Sequence, residues 1–434
     1  MFLMIENHGV APVQSFTVMG LSTARGKAEK IGQFGSGSKH GILTCMRQNI
    51  VPTIYLGENE LKFATTTDKM GEKEYQHLIY EFRGEIKELP IALEFGALDW
   101  DGLDMGLREF VSNAIDAGDY KVEVVAKPET HKDKTRIFLP FRPEVAKFFA
   151  ALPEKFLHFA QGINTEQVVM LKEKISPAKF YRKGVYVRES KAISLFNYNF
   201  DDKVKIDECR NMEEYAVREH SANIWQNADK ETVKLLFNRL DDINEKVFEG
   251  NFYFCSWRWD AKGIANWKAA WKELFGDAYC GNVTTQAPLI AKAQKQGHNV
   301  INVPTNLLDA LVHCGIPMVV DCLQGVDKAG REIQPATIKL TSKVRKIWDK
   351  LVEKGMVNGK EFPKVNTFTC LMNGESQLKG FYNPADLSIN LEVHNGLDSM
   401  TIVEELGHYI TGATDNSRDF QDYFIKLCVI CLRV

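Results

Sequence analysis

Glu109, Asn113 and Asp116 stand at i, i+4 and i+7 in the stretch from Leu107 to Gly118, which puts all three on one face of a helix. A carboxylate and an amide one turn apart suit chemistry at a phosphate. The amide oxygen can hold a magnesium ion that bridges phosphates, and the carboxylate can orient and deprotonate an attacking water. A second set is Gly32, Gly35, Gly37 and Gly41 with Lys39 among them, four glycines within ten residues. Backbone without Cβ atoms can turn successive amide N–H groups toward an anion. A third set is Glu404, Glu405 and His408, where two donor side chains one turn apart flank a glutamate that could activate water on a metal. The same residues also fit plainer readings: an amphipathic surface helix with solvated polar residues, a turn, and a scaffold helix that holds no metal.

Each set needs an element to position it. Leu107, Phe110, Val111, Ala114 and Ile115 keep a helical apolar spacing, with Asp104 as a cap at the start and Gly118 just past the end. Ile42 to Met46 reads as a helix whose N-terminus adds a favourable dipole for phosphate. Phe2–Ile5, Pro52–Leu56, Leu61–Thr66, Leu78–Phe82, Tyr120–Val125 and Thr135–Leu139 read as strands. Two familiar phosphate templates do not fit. A Walker A loop ends in Gly-Lys-Ser/Thr, whereas this chain has Gly37-Ser38-Lys39, and a dinucleotide fingerprint follows a strand, whereas polar, helix-prone Ala24 to Lys30 precedes this loop.

Three stretches together resemble the GHKL (Bergerat-fold) ATPases, the group of gyrase B, MutL, the heat-shock chaperone ATPases and the MORC proteins. Arg108 to Ala117 resembles the family's N box. Gly20 to Gly26, followed by Ile31 to Gly37, is similar to its lid and second glycine box. Asn7, Gly9 and Ala11 occupy the marked places of its Asp-x-Gly-x-Gly box. The resemblance covers the first third of the chain. It implies ATP and magnesium, with Glu109 as general base and Asn113 holding the metal. The implied nucleotide-binding positions are Asn7, Gly9, Ser22, Thr23, Arg25, Gly32, Gln33, Phe34, Gly35, Ser36, Gly37, Lys39, Asn113 and Asp116. A basic residue from a second domain is implied at the terminal phosphate, with Lys183 the leading candidate and Arg182, Arg188 and Arg210 the others. The order of the boxes is reversed relative to the family, as a circular permutation would leave it. Asn7 stands where the family has the aspartate that accepts from the adenine amino group, with Glu6 next to it, so adenine is less firmly implied than phosphate.

Near the other end, Glu404-Glu405-Leu406-Gly407-His408 resembles the zincin motif His-Glu-x-x-His with Glu404 in place of the first histidine. That implies zinc on Glu404, His408 and Asp415. Gly412 and Asp415 each sit one residue later than the extended zincin pattern places them. Two carboxylates would also leave less charge on the metal to acidify its water, so weak or absent zinc and little proteolysis are expected.

The expected architecture is α/β (α+β): a Bergerat-type ATP-binding sandwich over residues 1–150, an α/β transducer-like middle region over 151–330, and a zincin-like domain over 331–434. At 434 residues, 44% hydrophobic and 26% charged, the chain can bury proper cores. A net charge of −3 gives no electrostatic case for nucleic acid or an anionic membrane. The nine cysteines are scattered, with one close pair at Cys428 and Cys431. No signal peptide or membrane span is evident, so a cytoplasmic setting is expected. The leading function is an ATP-binding protein, a slow magnesium-dependent ATPase whose lid at Ser22–Lys30 closes on nucleotide and switches the arrangement of the later domains. Its partners would be ATP and a protein not named by the sequence, or a second copy in a homodimer. The alternatives are an ATP-gated metallopeptidase and a nucleotide-binding interaction protein without turnover.

Overall fold

The structure, a computed structural model, describes residues 1–21, 27, 30–32, 35–100, 102–163, 167–201, 203–207, 210–357, 359–371 and 378–432. It is a mixed α/β chain of two compact units, Met1–Ile224 with Glu245–Tyr253, and Trp225–Asn244 with Phe254–Val434. Among the described residues no helix is long and apolar enough to cross a membrane.

The first unit is built on seven strands: β1 (Phe2–His8), β2 (Thr53–Leu56), β3 (Asn59–Met70), β4 (Lys73–Phe82), β5 (Glu85–Ala92), β6 (Tyr120–Val125) and β7 (Lys134–Pro140). They form one sheet in the order β5-β4-β3-β2-β7-β1-β6, antiparallel throughout. Its helices include α1 (Gln14–Thr17), α2 (Gly37–Arg47) and α3 (Leu103–Ala117). Strand alternation decides which side chains meet those helices. Leu3 and Ile5 of β1 share a core with Ile42 and Leu43 of α2 and Leu107, Phe110, Val111 and Ala114 of α3. Each of these side chains larger than Ala114 contributes about 1.5–3 kcal/mol on burial.

Two glycines set how closely α2 and α3 cross. A Cβ on Gly41 would lie 2.9 Å from the Phe110 ring and 3.0 Å from the Gly106 carbonyl, and one on Gly106 would lie 3.1 Å from the Gly41 Cα. Arg47, in the last turn of α2, donates from Nη2 to Trp100 O (2.8 Å) and from Nη1 to Leu93 O (3.2 Å). That ties the loop before α3 to the end of α2. Gly118 ends α3 at φ 82, as its position in the sequence predicts. Asp104 does not cap the start; Gly102 is at that position without a side-chain cap, and Asp104 instead accepts from Lys155 Nζ at 2.6 Å.

After α4 (Pro143–Ala150) and α5 (Leu152–Lys155) come β8 (Val169–Arg182) and β9 (Val185–Phe200), then α6 (Glu214–Gln226). Pro143 to Lys174 reads in the sequence as a helical connector, but strand begins at Val169. The turn between β8 and β9 is Lys183-Gly184, both at positive φ (51 and 74).

The second unit carries α7 (Lys230–Phe237), α8 (Ala261–Phe275), β10 (Tyr279–Gly281), α9 (Val283–Lys295), β11 (Val300–Asn302) and α10 (Thr305–His313). It continues with β12 (Arg331–Pro335), α11 (Ile338–Glu353), β13 (Lys364–Cys370), β14 (Gly380–Asn383), β15 (Ser388–Glu392), α12 (Ser399–Thr411) and α13 (Arg418–Leu432). Strands β12 to β15 form a sheet in the order β12-β13-β15-β14. Ile389 and Leu391 of that sheet pack with Ile402 and Leu406 of α12 and Val344 and Trp348 of α11. Lys230 to Glu249 reads in the sequence as one helix, but the helix ends at Phe237, and Glu249 is buried in the first unit. There it accepts from the Tyr198 hydroxyl at 2.8 Å, from the Ser194 hydroxyl at 2.5 Å and from Leu195 N at 3.1 Å.

Candidate functional site

Helix α2 begins at Gly37, so the glycine loop runs directly into a helix N-terminus, where unpaired N–H groups favour an anion. Gly35 has φ 77, a conformation that a side chain would strain. Lys39 is buried in the first turn and donates to Gly35 O at 2.8 Å. Burial lowers its ammonium pKa to about 8.

Helix α3 supplies the facing wall. Asp116 accepts from the backbone N–H groups of Ile31 (2.6 Å) and Gly32 (2.7 Å), which fixes the start of the glycine loop. Lys30 donates to the Asp116 carbonyl. Burial raises the Asp116 carboxyl, and the two N–H donors only partly offset it. One turn earlier, Asn113 donates from Nδ2 to Ser38 Oγ at 2.8 Å, so Oδ1 is the end of the amide left to accept or to bind a cation. Glu109 is 6% exposed and accepts from Arg210 Nε (2.6 Å) and Nη2 (3.0 Å), with Arg108 Nε 3.6 Å away. Burial alone would push this carboxyl up, but the Arg210 guanidinium and then Arg108 hold it below the ordinary carboxylate range. Gly37 is needed here too, because a Cβ would sit 2.5 Å from Glu109 Oε2.

The third wall is the turn after β1. Pleating sends Glu6 and Asn7 to opposite faces of the sheet. Glu6 accepts from Lys134 Nζ and Arg136 Nε, both at 2.6 Å, so it cannot stand in for Asn7. Thr135, paired in register with Asn7, donates to Gly9 O and accepts from Ala11 N, both at 2.8 Å, and so braces the turn.

Asn7, Gly9, Gly32, Gly35, Ser36, Gly37, Lys39, Glu109, Asn113 and Asp116, all expected from the sequence, line one cavity of about 460 Å³. No protein-family model matches the sequence, and no curated protein matches it. The cavity also takes Lys30 and Arg210 into its wall. Ser22, Thr23, Arg25, Gln33 and Phe34, with most of the expected lid, lie outside the described residues. Lys183 donates to Lys30 O at 2.8 Å and is not among the described residues that line the cavity. Arg182 donates to Val204 O and Arg188 to Met212 O. Of the four basic candidates, Arg210 is the one in the wall.

The carboxyl-terminal set behaves differently. Helix α12 starts at Asp398, whose side chain accepts from Met400 N and Thr401 N, and ends at Gly412 with φ 72. His408 Nε2 lies 2.8 Å from Asp415 Oδ1, Nδ1 lies 2.8 Å from Ala413 O, and the ring stacks on Phe420 at 4.0 Å. Glu404 on the same helix is exposed. Among the described residues no group of three or more His, Cys, Asp or Glu is placed to hold a metal ion. Nδ1 against a carbonyl would leave Nε2 free to ligate, but Glu404, His408 and Asp415 are not assembled as a metal-binding group among the described residues. Glu405 is 5% exposed, packs against Gly380, and has an Oε2 without a hydrogen-bond partner among the described residues. Burial, then the charges of Glu404 and Asp415, push its carboxyl up to about 8.

Proposed function

We propose that the first unit binds ATP between the start of α2 and the polar face of α3 and hydrolyses it slowly, with Glu109 as general base. The reading takes this unit as a permuted Bergerat-type sandwich with β8, β9 and the Arg210 segment in a transducer-like role, and α12 on its sheet as a zincin-like scaffold. The single observation that carries it is convergence. Residues from three stretches separated by tens to a hundred residues line one cavity: Asn7–Ala11, then Gly32 with Gly35–Lys39, then Glu109, Asn113 and Asp116.

The N–H groups of the loop and of α2 would bind phosphate oxygens, with Lys39 as counter-charge. Phosphate beside Lys39 would restore the pKa that burial lowers. Asn7 Oδ1 would accept from the adenine amino group. Asn113 Oδ1, oriented by Ser38, would hold magnesium, which when bound supplies charge neutralisation to the phosphates. Glu109 would take a proton from water as its oxygen bonds to the terminal phosphorus and the bond to the departing ADP oxygen breaks.

One observation favours a second reading, binding without turnover: both Glu109 oxygens are held by Arg210. Phosphate release from ATP and magnesium separates the two. Release above background that is abolished in Glu109→Gln supports hydrolysis; ATP binding with no release supports the second reading.

A further inference from the structure

Asp207 and Asn211 are hydrogen-bonded to each other beside Arg210. Asp207 O accepts from Arg210 N (3.0 Å), and the Asp207 carboxylate accepts from Asn211 N (2.7 Å) and Nδ2 (3.0 Å). Arg210 itself sits at φ 64, unfavourable for a side-chain-bearing residue, so local preference does not explain its placement. Its guanidinium reaches across to a residue 101 positions away, holds both Glu109 oxygens, and is buried with it in the cavity wall. A carboxylate with both oxygens engaged by one guanidinium has lost its best lone pairs for a water proton.

We propose that Arg210 is a latch that reads the terminal phosphate: it masks Glu109 until the γ-phosphate of a bound triphosphate takes over its guanidinium, and only then is the base uncovered. This rests on the reading of the cavity as a nucleotide site. A terminal phosphate offers more charge and more acceptor oxygens than one carboxylate, so it competes for the guanidinium, whereas a diphosphate ends too early to do so. Once Arg210 moves, Arg108 is the cation left beside Glu109, at the looser distance of 3.6 Å. The carboxylate becomes more basic at the moment substrate is in place. The latch would thus serve selectivity and timing together.

The competition has a signature that does not depend on turnover. In wild type, part of the triphosphate's binding free energy is spent on separating Arg210 from Glu109. Glu109→Gln removes that competitor, so a non-hydrolysable β,γ-imido ATP analogue should bind about tenfold tighter or better, which is the scale of one charge-assisted hydrogen bond. ADP affinity should stay within about twofold. Arg210→Ala should weaken the analogue and bring its affinity close to that of ADP. In the double variant, which removes both charges and so leaves neither buried alone, the tightening caused by Glu109→Gln should vanish. Equal gains for analogue and ADP in Glu109→Gln, or no gain for either, would overturn the latch while leaving the nucleotide site standing. If a single variant does not fold, the double variant decides: a preference for the analogue over ADP equal to wild type overturns the latch. Failure of wild type to bind either nucleotide overturns the latch and the site together.

Discussion

Glu109 and Glu405 are the same side chain in nearly the same mechanical setting, and they end with opposite acid–base character. Each lies on a helix, each is almost fully buried, and each lies over a glycine that could not carry a Cβ: Gly37 would meet Glu109 at 2.5 Å and Gly380 would meet Glu405 at 2.7 Å. Glu109 has two arginines beside it and stays below the ordinary carboxylate range. Glu405 has Glu404 and Asp415 beside it and rises to about 8. Burial sets the cost of a charge, and the sign of the neighbours decides whether the charge is kept. A carboxylate motif is therefore not informative until its counter-ion is known.

The largest consequence should be in stability. Glu109→Ala leaves Arg210 and Arg108 buried without their carboxylate, which costs about 3–5 kcal/mol for a broken buried pair; chemical denaturation followed in the first unit would measure it. A loss below about 1 kcal/mol would mean that water already screens the pair.

Glu405 should show the reverse. Its folded value lies above the 4.5 of the unfolded chain, so folding takes up a proton between these values. The stability it supports is fully present below about 4.5 and is lost as pH rises through about 8. Glu405→Gln should flatten that slope and stabilise the second unit at pH 8. An unchanged slope would assign the pH dependence to another group.

Smaller effects separate the two glycines. Gly37→Ala and Gly380→Ala both force a contact and should each cost about 1–3 kcal/mol, but only the first disturbs an ion pair in the cavity. Loss of ATP binding is expected for Gly37→Ala alone. The smallest effect concerns Ser38. Ser38→Ala removes the donor–acceptor contact that orients Asn113, and should weaken magnesium-dependent ATP affinity about two- to tenfold, with Ser38→Thr restoring it in a titration of magnesium.

Much of the cavity was legible because its signals are local. A glycine loop running into a helix, a helical spacing of Glu109, Asn113 and Asp116, and the short apolar run of β1 are all short-range patterns. Ser38 was in view but carried no signal, since its role comes from an amide 75 positions away. The Arg210–Glu109 pair and the Thr135 brace are equally non-local. Lys183 stands among several cations close in sequence, and nothing in their spacing indicates that its ammonium turns to Lys30 O. Lys172-Glu173-Lys174 reads as helix because its charges do not alternate with apolar residues, although the chain there is strand. The glycine pair Gly41 and Gly106 looks like two unrelated breaks until the helices are seen to cross there.

The most direct test of the account is equilibrium binding of ATP to the intact protein across a magnesium titration, with Asn113→Ala beside wild type. The account predicts saturable binding at one site, tightened by magnesium, with the magnesium effect lost in the variant. Absence of ATP binding by folded wild-type protein, or a magnesium effect unchanged in Asn113→Ala, would contradict it.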